Sequence, residues 1–434
     1  MASSIIYQNA DKTVTLIDIP RSIAAAQGTL QQPCLDHLVS VEPLETPFPS
    51  NEPKTEKARA KVLGNSTNQQ LHDEYATLLR AALDETRAVF DGAWCLPRPF
   101  VNERPRQAKK RKLDGAADDE KIRAYLHDCS NELPSNVLGQ PSNARTSSPE
   151  AWHATLQRRN LPGNDHHLES ITTPHCVTNP SDSAAILELH QPHGEQPYAF
   201  RIPPRSAYYL SNTSESGPFR AAVRSHAAET ASSKSFDFIL LDPPWPNRSV
   251  KRTHRTPGAT YATISTLDEV WNMLVGMDLD MLMANDCLVG VWITNSAAVR
   301  GLVLDEGGLF EEWGLTLVEE WVWLKTTSRG EPVTPPDAVW RKPYEVLLLG
   351  RRGQASNGSV SGPANVKRRV IAGVPDLHSR KPCLKALVES IFMSDKKDYR
   401  ALEVFARYLV SGWWSWGNEC LKFNWEGSWQ LQKR

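Results

Sequence analysis

The run Phe236-Asp237-Phe238-Ile239-Leu240-Leu241 ends abruptly in Asp242-Pro243-Pro244-Trp245-Pro246-Asn247-Arg248. Mostly apolar residues bounded by turn signals read as a strand buried on both faces, the kind found in parallel sheets. Proline fixes φ and lacks an N–H, so the prolines stop the strand and stiffen the turn. Ligands of open α/β sheets bind beyond the carboxyl ends of the strands. Asp242, Pro243, Pro244 and Trp245 are therefore expected to line a crevice and to carry the chemistry.

The tetrad suits one chemical problem, the methylation of an exocyclic amino group on a flat base. The lone pair of that nitrogen is delocalised into the ring, which makes it a weak nucleophile. The Asp242 carboxylate and the Pro243 carbonyl can accept its two hydrogens, draw the nitrogen toward sp³ and free the lone pair for a sulfonium methyl. Trp245 offers a face on which the base stacks. The alternative is a strand end followed by a proline turn and a core tryptophan.

After the tetrad, Arg248, Lys251, Arg252, His254 and Arg255 crowd basic groups into a short loop of a chain whose formal net charge is −1. Beside a pocket, they point to phosphate contacts. Leu267 to Met283 has helical apolar spacing, and Cys287 to Thr294, Leu315 to Leu324 and Tyr344 to Leu349 read as strands, with Trp321 and Trp323 in the core. Such alternation is the pattern of a doubly wound sheet. Thr326 to Trp340 and Arg351 to Asn365 are expected as loops over the site, and Lys367-Arg368-Arg369 as a second positive cluster.

No GxGxxG precedes Asp242, although ordinary nucleotide-binding sheets carry that turn early. The order therefore reads as permuted, with the catalytic strand first and a cofactor strand, Leu402 to Phe405, last. Lys381 lies near the start of a helix expected over Cys383 to Phe392. A lysine there is unfavourable unless an anion shares the site, and a cofactor carboxylate would serve. Arg407, Asn418 and Glu419 have the donors and acceptors to hold ribose hydroxyls.

The remaining chain divides into an α+β accessory region (1–103), a basic and low-complexity linker (104–182) and the catalytic domain (183–434). With 434 residues and 40% hydrophobic composition there is room for two or three domains. Ile5-Ile6-Tyr7 and Thr13 to Ile17 read as a hairpin, and Asn68 to Phe90 as an amphipathic helix, neither of them catalytic. Lys109-Lys110-Arg111-Lys112 has the form of a nuclear-import signal, with a nonspecific RNA-binding arm as the alternative. Ser130 to Pro149 and Leu161 to Pro197 read as linkers or disordered. Ala184 to Leu189 and Ser206 to Leu210 are expected as the first strands of the catalytic domain. His166-His167 reads as surface and no metal site is expected. Seven cysteines without a CxxC pair read as reduced intracellular thiols. No basic-then-apolar leader and no apolar run of about 18 residues is present, the expectation being a soluble protein.

The tetrad, Asn247-Arg248-Ser249-Val250-Lys251-Arg252, Val291-Trp292-Ile293-Thr294-Asn295, Lys342-Pro343-Tyr344-Glu345, Leu402-Glu403-Val404-Phe405-Ala406-Arg407 and Trp416-Gly417-Asn418-Glu419 resemble the MT-A (seventy-kilodalton-subunit) type of adenine-N6 methyltransferase. Within that type they are most similar to the methyltransferase-like four branch, over residues 202–425. The resemblance implies an α/β fold, a permuted Rossmann-like S-adenosylmethionine-dependent methyltransferase domain. It implies a cofactor held by Asp242, Lys381 at the methionine end, Phe405, Arg407, Asn418, Glu419 and Asn212. Asn247, Arg248, Lys251, Arg255, Lys342, Tyr344 and Glu345 would then meet substrate. Two positions depart from the family pattern: Tyr408 and Leu409 follow Arg407 where relatives carry an Asn or His-Asn, and Asn212 stands where relatives often carry an acid. The implied substrate is RNA, notably 2′-O-methyladenosine in a U2-type small nuclear RNA, with DNA adenine as rival. The protein would be nuclear and active as a monomer without an obligate partner subunit. A noncatalytic RNA-binding partner subunit is the remaining reading; such chains have lost the acid and aromatic that this one keeps.

Overall fold

The computed structural model describes residues 3–49, 55–57, 68–100, 153–158, 168–171, 175–190, 197–214, 216–246, 266–338, 341–353, 366–377, 380–396 and 398–431. The chain opens with β1 (Ile5–Gln8), β2 (Val14–Ile17), α1 (Ile19–Ala25), β3 (His37–Leu38) and the long helix α2 (Gln69–Val89). Short strands follow: β4 (His153–Arg158), β5 (Leu168–Ile171), β6 (Cys176–Thr178), β7 (Ala185–His190), β8 (Tyr198–Ile202) and β9 (Ala207–Tyr209). The centre comprises α3 (Ser216–Thr230), β10 (Phe236–Leu241), α4 (Leu267–Gly276), β11 (Met283–Ile293), α5 (Ala297–Leu304), α6 (Leu309–Glu312), β12 (Leu315–Lys325) and β13 (Tyr344–Arg352). The end comprises β14 (Lys367–Gly373), α7 (Lys385–Phe392), β15 (Ala401–Val404), β16 (Trp413–Trp416) and β17 (Trp429–Gln430).

Eleven strands form one mixed sheet in the order β1-β2-β14-β12-β13-β11-β10-β15-β16-β9-β6. Its middle is parallel, β10 running alongside β11 on one side and β15 on the other, with β16 and β9 continuing the parallel run. The expected permutation is visible in that order, because the early strand β10 and the late strand β15 are neighbours. Phe238 and Leu240 face one apolar layer, Ile239 and Leu241 the other, and all four are at most 5% exposed. Burial of this order is worth about 1.5–3 kcal/mol for each large side chain, which is why so apolar a segment takes the middle of the sheet.

Residues 1–103, read from the sequence as an accessory region, extend this sheet. Val14, Thr15 and Leu16 pair in parallel with Val370, Ile371 and Ala372. Helix α2, capped by Asn68 on the Leu71 N–H, buries His72, Tyr75, Leu79, Ala82, Leu83 and Thr86 along one stripe. Tyr75 donates to Glu320 at 3.0 Å, and Glu320, 1% exposed, is clasped by Arg300 and by Arg368 at 2.8 Å.

Three expectations are corrected here. Lys367-Arg368-Arg369 is no free positive cluster: Arg368 pairs with Glu320 and Glu74, and Arg369 with Glu319 at 2.7 Å. Part of the expected linker is folded, since β5-β4-β7-β8 make a four-stranded antiparallel sheet. Its Ala154, Leu156, Leu187, Leu189, Phe200 and Ile202 pack against Ala406, Leu409, Cys420 and Leu421. Strands with one apolar face are only half apolar in sequence, and so resemble polar linker. The helix expected to Met283 stops at Gly276, where Asp278 turns left-handed (φ 49°) into a short 3₁₀ turn at Leu279–Leu282. Lys109 to Lys112, Ser130 to Pro149 and His166-His167 lie outside the described residues.

The Glu320 clasp gives a test of what joins α2 to the sheet. Glu320→Ala leaves two guanidinium groups without their shared carboxylate and should cost about 3–5 kcal/mol in urea denaturation. Arg80→Ala, which breaks an exposed pair with Asp337, should cost under about 1 kcal/mol.

Candidate active site

Leu240 lies in register with Glu403, and Leu241 with Val404. From β10 the chain turns to β11 on one side, and from β15 to β16 on the other. This is a topological switch point, and the crevice beyond the strand ends falls between the turns that begin at Asp242 and Phe405.

Asp242 is held by Lys381, whose Nζ lies 2.9 Å from both carboxylate oxygens. The same ammonium reaches Glu345 at 3.2 Å and sits over the Trp292 ring at 5.4 Å. Glu345 also accepts from Lys325 at 2.6 Å. Burial works against the Lys381 charge, but Asp242 and Glu345 outweigh it and hold the ammonium above its ordinary range. Burial likewise opposes the Glu345 charge, and Lys325 and Lys381 overcome it, keeping this carboxyl well below the usual glutamate value. The segment bearing Lys381 is anchored on either side: Arg380 pairs with Asp376 at 2.6 Å, and the Cys383 N–H donates to Ser22 at 2.9 Å.

At the end of β15 the chain turns through Phe405 with φ 61°, a left-handed conformation that costs a non-glycine residue about 1–2 kcal/mol. Gly417 packs against that turn, and a Cβ there would lie 3.2 Å from the Phe405 Cα. Arg407 pairs with Glu419 at 3.1 Å, and Lys422 takes the other Glu419 oxygen at 2.7 Å. Burial raises the Glu419 carboxyl, and these two cations more than reverse the effect. Asn418, half-buried, adjoins this pair. Cationic and anionic groups thus stand beyond the ends of the adjacent strands β10 and β15, with the Asn418 amide next in sequence to Glu419, a donor set that fits a zwitterionic nucleoside.

Ala26 and Gln27 support the turn that follows β15. Gln27 donates to the Leu409 carbonyl at 2.8 Å, and Asn424 binds Gln27 at 2.8 Å and the Leu409 N–H at 2.7 Å. Ser411 donates its backbone N–H to Ala26 at 2.8 Å. The departures at Tyr408 and Leu409 have a structural use, since both side chains are core.

Other expected residues are placed differently. Trp245 is 9% exposed, its Nε1 donating to the Trp292 carbonyl at 2.7 Å, so most of its face belongs to the core and little is open to a base. An indole N–H needs a partner when buried, and the end of β11 provides one. Pro243 is buried and Pro244 exposed, and the Pro243 carbonyl accepts the Trp245 N–H at 2.8 Å. Tyr344 is 1% exposed, with its hydroxyl 2.7 Å from His72 Nδ1 and its ring against Tyr75, so its side chain is removed from substrate. Asn295 instead donates to the Tyr344 carbonyl at 2.6 Å and stitches β11 to β13. Asn212 stands exposed after β9, its side-chain oxygen accepting from the Ser214 N–H at 3.1 Å. Lys342 is half-buried close to His72, whose imidazole it and burial push down. Asn247, Arg248, Lys251 and Arg255 lie outside the described residues.

Sequence reasoning passed over Lys325, Lys422 and Glu403. Only Glu403 left a signal, an acid inside an otherwise apolar strand.

Residues 236–419 match the family model described as MT-A70. N6-methyladenosine RNA methyltransferase MTA1 of Cryphonectria parasitica is 32% identical over 97% of this chain and 93% of its own length. The chain belongs to the MT-A70 family. N(6)-adenine-specific methyltransferase METTL4 of Mus musculus is 36% identical over 63% of the chain and 53% of itself. A protein of Caenorhabditis elegans named DNA N6-methyl methyltransferase is 31% identical over 51% of the chain and 53% of itself. The permuted sheet and the Asp242 turn are thus those of an MT-A70 methyltransferase. The expected resemblance is correct, and the Cryphonectria parasitica relative matches along nearly the whole chain.

Because Phe405 is left-handed, glycine should suit its backbone better than alanine. Phe405→Gly should be more stable than Phe405→Ala by about 1 kcal/mol in chemical denaturation, the reverse of their order within a strand.

Proposed function

We propose that this MT-A70 protein transfers a methyl group from S-adenosylmethionine to N6 of adenosine in RNA, acting as a single chain. The carrying observation is the Asp242 carboxylate at the switch crevice, fixed by Lys381 and adjoining the Pro243 carbonyl. Bound S-adenosylmethionine supplies an electrophilic methyl on a positively charged sulfur. Lys381 would meet its carboxylate, and Arg407, Asn418 and Glu419 its ribose, beside the Phe405 turn. An ionised carboxylate has about four lone-pair sites, so the two contacts to Lys381 leave Asp242 able to accept an amino hydrogen. The Pro243 carbonyl keeps a second lone pair after accepting from Trp245. Together they orient the amino group and localise its lone pair, while Lys381 and Glu345 keep Asp242 from swinging away.

RNA is favoured over DNA because the relative matched along nearly the whole chain carries RNA in its name, whereas the match to the protein named as a DNA methyltransferase covers about half. Resemblance to the METTL4 branch supports the finer proposal, 2′-O-methyladenosine in a U2-type small nuclear RNA. Lys109 to Lys112 support nuclear import.

Asp242→Asn should lower methyl transfer to single-stranded RNA by about 10²-fold or more in a variant that remains folded. Retained turnover would place the chemistry elsewhere. Trp245→Ala is a poorer probe, because removing a buried tryptophan costs about 3–5 kcal/mol of stability. Under single turnover, RNA carrying 2′-O-methyladenosine should react faster than the same RNA without it, and both faster than duplex DNA. Fastest reaction with duplex DNA would overturn the RNA reading, and equal rates on the two RNAs would remove the 2′-O-methyl preference. Replacing Lys109, Lys110, Arg111 and Lys112 with Ala should move the protein to the cytoplasm and leave activity in vitro nearly unchanged.

A further inference from the structure

Glu403 is in register with Leu240, and residues 240 and 242 lie on one face of β10, so the Glu403 and Asp242 side chains belong to the same side of the sheet. Titratable and charged groups face Glu403 from every neighbouring element. Asp242 comes from the end of β10, Lys381 and Cys383 from the segment before α7, and Tyr408 from the turn after β15, while Glu345 and Arg407 act through Lys381. Asp242 and Lys381 act on its charge, one repelling and one attracting it. The Lys381 ammonium is already committed to Asp242 and Glu345. Ser415, the register partner of Glu403 on β16, is fully buried with its hydroxyl unpartnered among the described residues. Glu403 is half-buried at the end of β15, where loss of solvation first and Asp242 second push its carboxyl up to about 8 against the pull of Lys381.

We propose that Glu403 is a charge-responsive positioning residue, set beside Asp242 on one face of the sheet and opposite the Ser415 hydroxyl, that answers the charge of the ligand in the crevice, so that S-adenosylmethionine is gripped more tightly than S-adenosylhomocysteine. The inference rests on the cofactor assignment made above. S-adenosylmethionine has a positively charged sulfur, and in S-adenosylhomocysteine that sulfur is neutral. A cation near a carboxyl favours its ionised form. Ser415 is a donor in waiting for the anion so formed. Loss of the sulfur charge on methyl transfer would let Glu403 take back a proton and loosen the product.

The sign of the pH effect follows. Where the complex binds fewer protons than the separate partners, affinity rises with pH, by at most about tenfold per unit for one proton. Affinity for S-adenosylmethionine should therefore climb toward about pH 8 and level off once Glu403 is ionised in the free protein. The ligand's own amino group also titrates near there, but equally for wild type and Glu403→Gln, so their difference isolates Glu403.

The experiment is titration calorimetry on the full chain with each ligand, from about pH 6 to pH 9, in buffers of differing ionisation heat. Wild type should release up to one more proton than Glu403→Gln on binding S-adenosylmethionine. Its preference for S-adenosylmethionine over S-adenosylhomocysteine should rise severalfold across the range, against a flat preference in the variant. Equal proton release, or an equal rise in preference, in both proteins would overturn the proposal. Should Glu403→Gln not fold, equal proton release by wild type with the two ligands would overturn it instead. Failure of wild type to bind either ligand at any pH would overturn the cofactor assignment, and this inference with it.

Discussion

One ammonium group sets the geometry of the whole centre. Lys381 holds Asp242 from the end of β10 and Glu345 from the start of β13, two carboxylates that would repel each other without it. An ammonium this covered, with 14% of its side chain exposed, would be driven toward its neutral form without them. Lys381 and Glu345 therefore each favour the charged form of the other, and removing a partner leaves a charge uncompensated in a poorly solvated place. The surrounding structure serves this arrangement. The Arg380–Asp376 pair, the Ser22 contact and the Trp292 ring fix where Lys381 projects. A carboxylate so restrained meets a substrate with little reorganisation, the condition under which electrostatic stabilisation is most effective.

The cofactor side relies on backbone shape more than on charge. A glycine-rich turn ordinarily lets main chain approach a nucleotide closely. This chain makes its turn with Phe405 in a left-handed conformation and places glycine opposite, at Gly417. Strain of this kind persists only where neighbours over-determine it. Gln27, Asn424 and the four-stranded sheet behind Ala406 and Leu409 supply that restraint.

Much of this was legible in the chain itself. The strand at Phe236 to Leu241, its abrupt end at Asp242 and the late cofactor strand could be read because a doubly buried strand and a proline turn leave local signatures. Lys381 was readable as a cation wanting an anion, but in the protein alone its anions are Asp242 and Glu345, and no local pattern pairs residues that far apart. Trp245 and Tyr344 have internal partners that the sequence does not announce, for a related reason. An aromatic in a motif looks the same whether its polar tip meets a ligand or a buried partner, and here Trp292 and His72 are those partners. The small sheet was hidden because strands with one apolar face alternate too weakly to stand out from polar linker.

The contacts of the first thirty residues bear on how the protein comes to be folded. Gln27 bonds to Leu409 across 382 positions of sequence and to Asn424 across 397, while β2, beyond its hairpin partner β1, takes its second neighbour from β14. At about 5–20 residues per second of synthesis, the amino-terminal hairpin must wait for tens of seconds before its docking surface exists. Until then an apolar strand edge has nothing to pair with. The turn beyond β15 is therefore braced late, once Leu409 and Asn424 have been made and can return to Gln27.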